Sequence, residues 1–311
     1  MKFSLGLPTS QVEDAGELLT GPAIGRMAAH AESLGFSAVH VTDHPAGDQR
    51  WLETGGHHAL DPFVALSFAA ATTDRIGLHT HILVLAYRNP FLSAKSILTL
   101  DVLSGGRTIF GVAAGYLRSE FNALGVEYDE RNELTDEALE VIKLALTQDA
   151  VAYEGRHFRS RGTTMAPRPA QLPHPPFWIG GNSMRAVRRA VEYGQGWSPF
   201  PNPQRTSAAT RTPSLTTFEE LGQRIDALRE LVDSSGRTEP LDICVAPMSG
   251  AAGATMKPGK HEHDPAALRD DVATLTTLGV TWMTVGVSSA PTVDEWCANA
   301  DQLAADLNLS A

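Results

Sequence analysis

Short apolar segments alternate with helical segments along most of this chain, and this alternation limits the possible folds more than any other feature. The apolar segments predict eight core strands, at residues 2–8, 38–42, 75–85, 107–112, 177–180, 196–200, 241–246 and 282–287. They lack the alternation of polar and apolar residues that marks a half-exposed strand, which favours a parallel sheet covered on both faces. Nearly all are followed by a helical pattern, and no Gly-X-Gly-X-X-Gly motif accompanies them. We therefore expect an α/β protein with a closed (β/α)8 TIM barrel rather than an open sheet.

The length of 311 residues suits either two average domains or one large barrel. The alternation favours a single barrel domain spanning 1–311, with helices predicted at 22–34, 61–73, 90–103, 133–147, 218–231, 265–278 and 293–307. A β-hairpin near 150–165, with Gly155 at the centre of its core segment 151–160, interrupts this order as an insertion. Long loops are predicted at 201–217 and 249–264, where Pro, Ser, Thr, Gly and Ala are frequent.

Charge and composition exclude several classes of function. A net charge of −11 argues against nucleic acid and anionic membranes as partners, because both require basic surfaces. No apolar run reaches the length of a membrane span, and the first eight residues do not form a signal peptide. Cys244 and Cys297 are expected to be buried or incidental thiols rather than a disulfide. The cytoplasm is the expected compartment.

Residues 177–183, with the sequence Phe-Trp-Ile-Gly-Gly-Asn-Ser, combine the features of an anion site. A short strand runs into Gly180 and Gly181, which lack a Cβ and let a ligand approach the backbone. Asn182 or Ser183 can cap the helix that follows, whose first N–H groups favour an anion. The residues alone predict a phosphate cradle or an ordinary tight loop with about equal weight.

Four motifs stand out together: Tyr-Arg-Asn-Pro at 87–90, Leu-Asp-Val-Leu-Ser-Gly-Gly-Arg at 100–107, Glu-Phe-Asn-Ala-Leu-Gly at 120–125 and the segment from Pro173 to Ser183. In combination they resemble the motifs of the bacterial luciferase-like superfamily of flavin- and deazaflavin-dependent oxidoreductases. The resemblance is dense over residues 1–200 and greatest to the branch of probable coenzyme F420-dependent oxidoreductases. It implies a TIM barrel, a ring-shaped redox cofactor in the mouth of the barrel, and frequent homodimerisation.

The end of the second predicted strand carries Asp43 and His44. The resemblance places an active-site histidine at His44, and an imidazole can donate or accept a proton near neutral pH. Asp43 is expected to contact the cofactor ring or to fix the tautomer of His44. Without the resemblance, a surface turn is the better interpretation of Asp-His-Pro.

The third predicted strand carries Thr80, His81 and Ile82, where the family has a β-bulge with a non-prolyl cis peptide behind the cofactor ring. Carried over, the bulge falls at His81-Ile82. The family commonly has small residues where His79 and His81 stand, so two imidazoles are expected to crowd the mouth. A metal site at these two histidines is disfavoured, because the fourth, fifth, sixth and eighth strand ends offer no further ligands. His57, His58, His261 and His263 are interpreted as loop histidines.

Further cofactor contacts are predicted at the remaining strand ends. Gly115 and Tyr116 follow the fourth strand, and Trp197 lies on the sixth. Some deazaflavin enzymes of the family have a glutamate at the position of Tyr116, so a close copy of the sugar-phosphate dehydrogenases is not expected. Arg118 and Glu120 lie just beyond and are expected to pair with each other.

Three functions remain open. The first is hydride transfer between coenzyme F420 and an unidentified small organic substrate, with Asp43 and His44 as catalytic residues. Under this hypothesis, Arg205, Arg211, Lys257 and Lys260 on the long loops are candidate contacts for the cofactor's tail, although plain surface loops are equally compatible with the sequence. The second is an FMN-dependent monooxygenase that receives reduced flavin from a partner reductase. The third is a non-catalytic flavin-binding paralogue, suggested by the crowding histidines. No hydrolase elbow or Walker A motif is present.

Overall fold

The computed structural model describes residues 1–12, 16–249 and 264–310, and for Arg205, Thr206 and Ala209 it describes the backbone alone. Its strands are β1 Lys2–Gly6, β2 Ala38–Val41, β3 Gly77–Val84, β4 Thr108–Ala113, β5 Val151–Glu154, β6 Arg159–Thr163, β7 Phe177–Gly180, β8 Gly196–Ser198, β9 Asp242–Val245 and β10 Trp282–Val285. All eight predicted core strands are therefore present, most of them one to three residues shorter than predicted.

These core strands close into a parallel barrel in the order β1, β10, β9, β8, β7, β4, β3, β2. The predicted (β/α)8 TIM barrel is confirmed. Because β4 lies between β3 and β7, the ends of β2, β3, β4 and β7 follow one another around the mouth of the barrel. The strands are buried on both faces, as their continuous apolar sequences predict.

The helices that cover the barrel are α1 Gly21–Ser33, α2 Gln49–Glu53, α3 Pro62–Ala70, α4 Pro90–Leu103, α5 Arg118–Ala123, α6 Arg131–Thr147, α7 Met184–Tyr193, α8 Gln204–Thr210, α9 Phe218–Ser235, α10 Pro265–Leu278 and α11 Val293–Asp306. Proline at the first helical position and an Asp or Asn cap before it explain where several of these helices begin. Asp61 accepts hydrogen bonds from the backbone of Phe63 and Val64, and Asn89 caps α4 in the same way.

The predicted hairpin insertion is confirmed by the antiparallel pair β5 and β6. Glu137 on α6 fixes its turn, because its carboxylate accepts hydrogen bonds from the backbone N–H groups of His157 and Phe158 at about 3 Å. The nearby Gly155 donates its N–H to the carbonyl of Phe158. The hairpin is thereby attached to the outside of the barrel.

The long loop predicted at 201–217 is partly helical in the structure. The segment contains helix α8, and an isolated bridge between Asn202 and Leu215 closes its base. Arg211 ends α8 in the left-handed conformation, at φ 47°. A seven-residue helix is too short to show a periodic pattern, which explains why the sequence did not reveal it.

The second predicted long loop, 249–264, lies almost wholly outside the described residues, and so do Lys257, Lys260, His261 and His263. The side chain of Arg205 is likewise outside the described part. Within that part, no helix is both long and apolar enough to cross a membrane.

Candidate active site

A cavity of about 440 Å³ opens at the carboxyl ends of β2, β3, β4 and β7. Nine of the residues predicted from the sequence line it, namely Asp43, His44, His81, Ile82, Gly115, Tyr116, Gly180, Gly181 and Ser183. Four arginines also line it: Arg131, Arg185, Arg189 and Arg211. The barrel therefore brings together residues that are up to 170 positions apart, from Thr42 to Thr212. Thr80, Asn182 and Trp197 do not belong to its lining.

The middle of the cavity is formed by the predicted bulge in β3. The peptide bond between His81 and Ile82 is cis, and the pairing of β3 with β4 shifts register between Thr80 and Leu83. Both the bulge and its position are therefore confirmed. Gly180 faces it from β7, and a Cβ there would overlap the side chain of Ile82. Glycine is needed at this position because the two strand ends approach so closely.

His44 lies at the β2 end of the cavity, and its side chain is only 10% exposed. Its Nδ1 lies 3.2 Å from Oε1 of Glu120, a residue of α5 that is 2% exposed. The rings of Trp51 and His57 pack against the imidazole, with centroids 4.6 and 4.9 Å away. Burial and the neighbouring His44 lower the pKa of His57 to about 4, so His57 is neutral at neutral pH.

Asp43 is buried beside His44 but is bonded elsewhere. Its Oδ2 accepts the N–H of Val84 at 3.0 Å, and its Oδ1 accepts a hydrogen bond from Arg88 at 2.8 Å. Burial raises the pKa of the Asp43 carboxyl, against the opposing influence of Arg88. Asp43 therefore holds the end of β3 while it lines the cavity, and it makes no described hydrogen bond to His44.

Glu120, which contacts His44, was missed as a site residue in the sequence. The expected pair of Arg118 with Glu120 is wrong, because Arg118 bonds Asp129 at 3.0 Å while Glu120 faces His44. The two side chains leave α5 in different directions, one to solvent and one to the interior. The signal that sequence reasoning could have used is the neighbouring Phe121, a core residue that orients this short helix.

Tyr116 lies between the two ends of the cavity. It is mostly buried, and its ring centroid is 5.9 Å from that of His44. Burial, reinforced by the negative charge of Glu120, raises the pKa of its phenol. Tyr116 therefore offers a neutral hydroxyl to a ligand at neutral pH.

The opposite end of the cavity is the glycine segment predicted as an anion cradle. Gly181 has a φ of 118°, a conformation that favours glycine, and Ser183 caps α7 by accepting the N–H of Ala186 at 3.2 Å. Ser183, Arg185 and Ala186, at the start of α7, line this end of the cavity, and the first N–H groups of a helix have no partner within the helix. A helix N-terminus of this kind favours an anion.

Arginines increase the positive charge at this end. Arg185 and Arg189 on α7 are paired with Asp136 on α6. Arg131 and Arg211 instead stack on the ring of Tyr128, with guanidinium carbons 4.1 and 5.1 Å from its centroid. Neither has a carboxylate partner among the described residues, so both retain charge for a ligand.

The three predicted contacts outside the lining support those that line it. Thr80 donates its hydroxyl to the carbonyl of Gly111 at 3.0 Å, inside the barrel wall. The Asn182 side chain bonds the backbone of Phe200 and Pro213, which ties the 201–217 segment to the cradle. Trp197 donates its Nε1 hydrogen to the carbonyl of Gly181 at 2.9 Å, beneath the cradle.

His79 and His81 do not crowd the mouth together as expected. His81 lines the cavity, whereas His79 is fully buried beneath it, against Trp178 and Ser4. His40 completes this interior group, with ring centroids 5 to 6 Å from the other two. Burial lowers the pKa of His81 to about 4. Burial, with the neighbouring His81 and His40, also lowers the pKa of His79 well below its ordinary value. Among the described residues, no group of three or more His, Cys, Asp or Glu is arranged to hold a metal ion.

Comparison with known proteins agrees with the barrel and its cavity. The profile of the luciferase-like monooxygenases matches residues 1–249, which is most of the chain and includes the lining of the cavity. The chain belongs to this family. Strand β9 of this chain lies within the matched region, whereas β10 lies beyond it.

Two curated relatives illustrate the range of the family. An F420-dependent glucose-6-phosphate dehydrogenase from Kineococcus radiotolerans is 30% identical over 216 residues, which are 68% of this chain and 58% of that protein. An FMNH2-dependent dimethylsulfone monooxygenase from Pseudomonas putida is 36% identical over 179 residues, 55% of this chain and 46% of that protein. This chain thus spans only about half the length of these two relatives.

Solved structures share the fold over nearly the whole chain. A monooxygenase from Streptomyces bottropensis superimposes with a TM-score of 0.80 at 22% identity, covering 99% of both chains. A coenzyme F420 dependent tetrahydromethanopterin reductase from Methanopyrus kandleri gives a TM-score of 0.71 at 18% identity, covering 97% of both chains. At these identities the similarity concerns the fold alone.

Proposed function

We propose that this protein is an oxidoreductase that transfers hydride between coenzyme F420 and a small organic substrate. The observation that carries this proposal is that one cavity joins an anion cradle to a buried histidine of acid–base character. A phosphate-bearing redox cofactor needs both, because one end must be held while protons move at the other. The F420-dependent relative from Kineococcus radiotolerans supports the choice of cofactor.

The residues present fit a cofactor of this kind. The cavity volume of about 440 Å³ lies within the range of cofactor and ligand sites. At the cradle, the left-handed Gly181 leaves room where a side chain would stand, and α7 directs N–H groups to the same place. When bound, the deazaflavin supplies the hydride chemistry.

The residues of this chain bind the phosphate, orient the ring system and transfer the proton. Ser183, the α7 N-terminus and the nearby arginines bind the phosphate. The bulge at His81-Ile82 and the phenol of Tyr116 orient the ring system. His44, which is largely shielded from water by Trp51 and His57, takes a proton from the substrate or returns one.

Surplus positive charge favours F420 over FMN. Both cofactors carry a ribityl phosphate, but F420 extends beyond its phosphate into a tail that bears several carboxylates. Arg185 and Arg189 are already paired with the carboxylates of Asp136 and Glu133. Arg131 and Arg211 have no carboxylate partner among the described residues. We infer that these two arginines contact the tail.

An FMN-dependent monooxygenase is the second candidate. It is supported by the relative from Pseudomonas putida and by Tyr116, which stands where some deazaflavin enzymes have a glutamate. Such an enzyme would need a separate reductase to supply reduced flavin. The third candidate is a non-catalytic flavin-binding protein. The argument for it, that two histidines crowd the mouth, is weakened because His79 lies beneath the cavity rather than in it.

Parallel fluorescence titrations of the purified protein with F420 and FMN test the proposal. We expect F420 to bind at least tenfold more tightly than FMN, equivalent to about 1.4 kcal/mol. Arg161→Ala, on the exposed face of β6, controls for the removal of an arginine outside the cavity, as opposed to Arg211 in its lining. This variant should bind F420 as the unaltered protein does. Tight binding of FMN alone would reject the F420 proposal in favour of the monooxygenase. Binding of either cofactor without turnover of any substrate would favour the non-catalytic protein.

We also propose that the protein forms a homodimer through the outer faces of α3 and α4. Both helices are apolar around much of their circumference, and Val64, Phe68, Leu92 and Leu103 are 48% to 72% exposed. A helix that is apolar all round is normally buried. A second copy can cover the same patch symmetrically, as in most homodimers.

Light scattering after gel filtration tests the dimer. Leu92→Glu places a charge in the centre of this patch and is expected to give monomers. Leu124→Glu is the matched control, since Leu124 is 42% exposed at the end of α5, outside the proposed interface, and should leave the mass unchanged. Monomeric unaltered protein, or a dimeric Leu92→Glu variant, would contradict the interface.

A further inference from the structure

The contact between His44 and Glu120 carries an inference about how the proton is handled at this site. An ionised carboxylate accepts hydrogen bonds but cannot donate them. The imidazole nitrogen that faces Glu120 must therefore carry the hydrogen, which makes Nδ1 the donor across the 3.2 Å contact. The N–H of Ala46 also points to Oε1 of Glu120, at 3.5 Å, and fixes the carboxylate as an acceptor.

The second imidazole nitrogen is left for a ligand. A neutral imidazole carries one hydrogen, so hydrogen on Nδ1 leaves a lone pair on Nε2. Nε2 makes no hydrogen bond to any described residue, and His44 lines the cavity. A substrate hydroxyl or similar donor is the partner that such an atom can accept.

The other groups around His44 do not compete for this role. His57 donates its Nδ1 hydrogen to the carbonyl of His58 at 2.8 Å and stays neutral, because its pKa is lowered to about 4. The pKa of the Tyr116 phenol is raised, so it also stays neutral. Asp43 is engaged by Arg88 and the N–H of Val84. Glu120 is therefore the charged group that determines the state of His44.

We propose that Glu120 is a positioning residue that keeps His44 in the Nδ1–H tautomer, so that Nε2 is the atom that exchanges a proton with the substrate. The role as proton carrier rests on the proposed oxidoreductase function, whereas the tautomer is a property of the protein without cofactor. In the forward direction the proton of the substrate passes to Nε2, and the bond from Nδ1 to hydrogen stays intact beside Glu120. Glu120 stabilises the imidazolium that results.

Nitrogen-15 NMR of the cofactor-free protein tests the tautomer directly. At about pH 9, where ordinary imidazoles are neutral, the shifts of the two ring nitrogens show which one is protonated. The His44 signals are assigned by their loss in His44→Ala. We expect only the Nδ1–H form in the unaltered protein. In Glu120→Gln we expect both tautomers, because a carboxamide can donate to Nδ1 as well as accept from it.

Kinetics of the same variants test the consequence. Glu120→Gln should lower kcat by about tenfold or more with little change in KM, since the tautomer matters for proton transfer rather than for binding. Glu120→Asp keeps the charge and should recover part of the rate. Asp129→Asn, an exposed carboxyl bonded to Arg118, is the matched control and should behave as the unaltered protein does.

The two readouts separate the two proposals. An Nε2–H tautomer in the unaltered protein, or a His44 spectrum that is the same in Glu120→Gln, would overturn the role of Glu120. The Nδ1–H tautomer in a protein that turns over no substrate with F420 would leave Glu120 as the positioning residue and reject the F420-dependent function.

Discussion

The two ends of the cavity are built in different ways. The anion end is local, because a strand, two glycines, a helix cap and the first turn of α7 follow one another within residues 177–187. The proton-transfer end is assembled from distant parts of the chain. His44 follows β2, Glu120 comes from α5, 76 residues later, and Trp51 and His57 come from the segment around α2. A ligand that spans the cavity therefore connects a local motif to a tertiary one.

The two ends of the cavity also differ in the sign of their charged groups. The anion end presents guanidinium groups near the surface of the barrel mouth, where Arg131 and Arg211 are available to a ligand. The proton-transfer end contains the buried carboxyl groups of Asp43 and Glu120, both about 2% to 3% exposed. We expect the anion end to determine how tightly the cofactor binds, and the other end to determine how fast the reaction proceeds.

Removal of His44 is the strongest test of whether one end of the cavity determines affinity and the other determines rate. We expect His44→Ala to lower kcat by about 10² to 10⁴-fold, the usual contribution of general acid–base catalysis, because no other described group replaces Nε2. The Kd for F420 should change by less than about threefold, since the phosphate is held at the opposite end. Steady-state kinetics and fluorescence titration measure the two quantities. A comparable loss of affinity would show that the ends are not independent.

The same difference explains what could be predicted from the sequence. The segment from Gly180 to Ser183 was predicted as an anion site because its signal lies in consecutive positions, and Gly180, Gly181 and Ser183 line the cavity. The barrel was also predicted, since eight apolar strands with helices between them have few other solutions. The bulge at His81-Ile82 came from the family resemblance and from no physical pattern in the residues.

The missed features depend on contacts between distant residues or on very short elements. Glu120 was assigned to Arg118, two positions away, because the apolar Phe121 beside it was not used to orient α5, whereas the contact with His44 depends on tertiary packing. Helices α2, α5 and α8 have five to seven residues each, too few for a periodic pattern. His79 was expected in the mouth because strand alternation gives a side but not a depth along the barrel.

Acidification should affect the proton-transfer end first. The pKa values of His57 and His81 are lowered to about 4, whereas an unfolded chain has ordinary histidines near 6.5. Below pH 6.5 the unfolded state binds protons that the folded state does not, so these histidines stabilise the protein above that pH. Their contribution is lost progressively from pH 6.5 to about 4. At the anion end, the lowered pKa values of Glu133 and Asp136 favour folding down to more acidic pH.

Thermal unfolding from pH 7 to 4.5 measures this effect. We expect Tm to fall with acidification, and His57→Gln to flatten that fall because it removes one of the groups responsible. His58→Gln changes the exposed neighbour of His57 and is the matched control, so its pH dependence should equal that of the unaltered protein. A variant His57→Gln with an unchanged pH dependence would show that His57 titrates normally in the folded state.

At the anion end, we expect Arg211→Ala to weaken F420 binding by about tenfold, or about 1.4 kcal/mol, with the loss in Kd rather than in kcat at saturation. FMN, which has no carboxylate tail, should lose less. The difference should shrink at high salt because Arg211 lies near the surface. Equal losses for both cofactors would place Arg211 at the phosphate instead of the tail, which would remove the main argument for F420.

The smallest expected effect is that of removing the Ser183 cap, which tests whether the α7 N-terminus contributes to F420 affinity as well as to stability. Ser183→Ala removes the cap of α7 and should cost about 1 kcal/mol of unfolding free energy. Thr292→Ala removes the equivalent cap of α11, far from the cavity lining, and should cost a similar amount. Only the first substitution alters a helix end that faces the cavity, so only Ser183→Ala should also raise the Kd for F420, by about two- to threefold. If the two variants lose equal stability and neither loses affinity, the α7 N-terminus does not contact the phosphate, and binding at this end rests on the arginines.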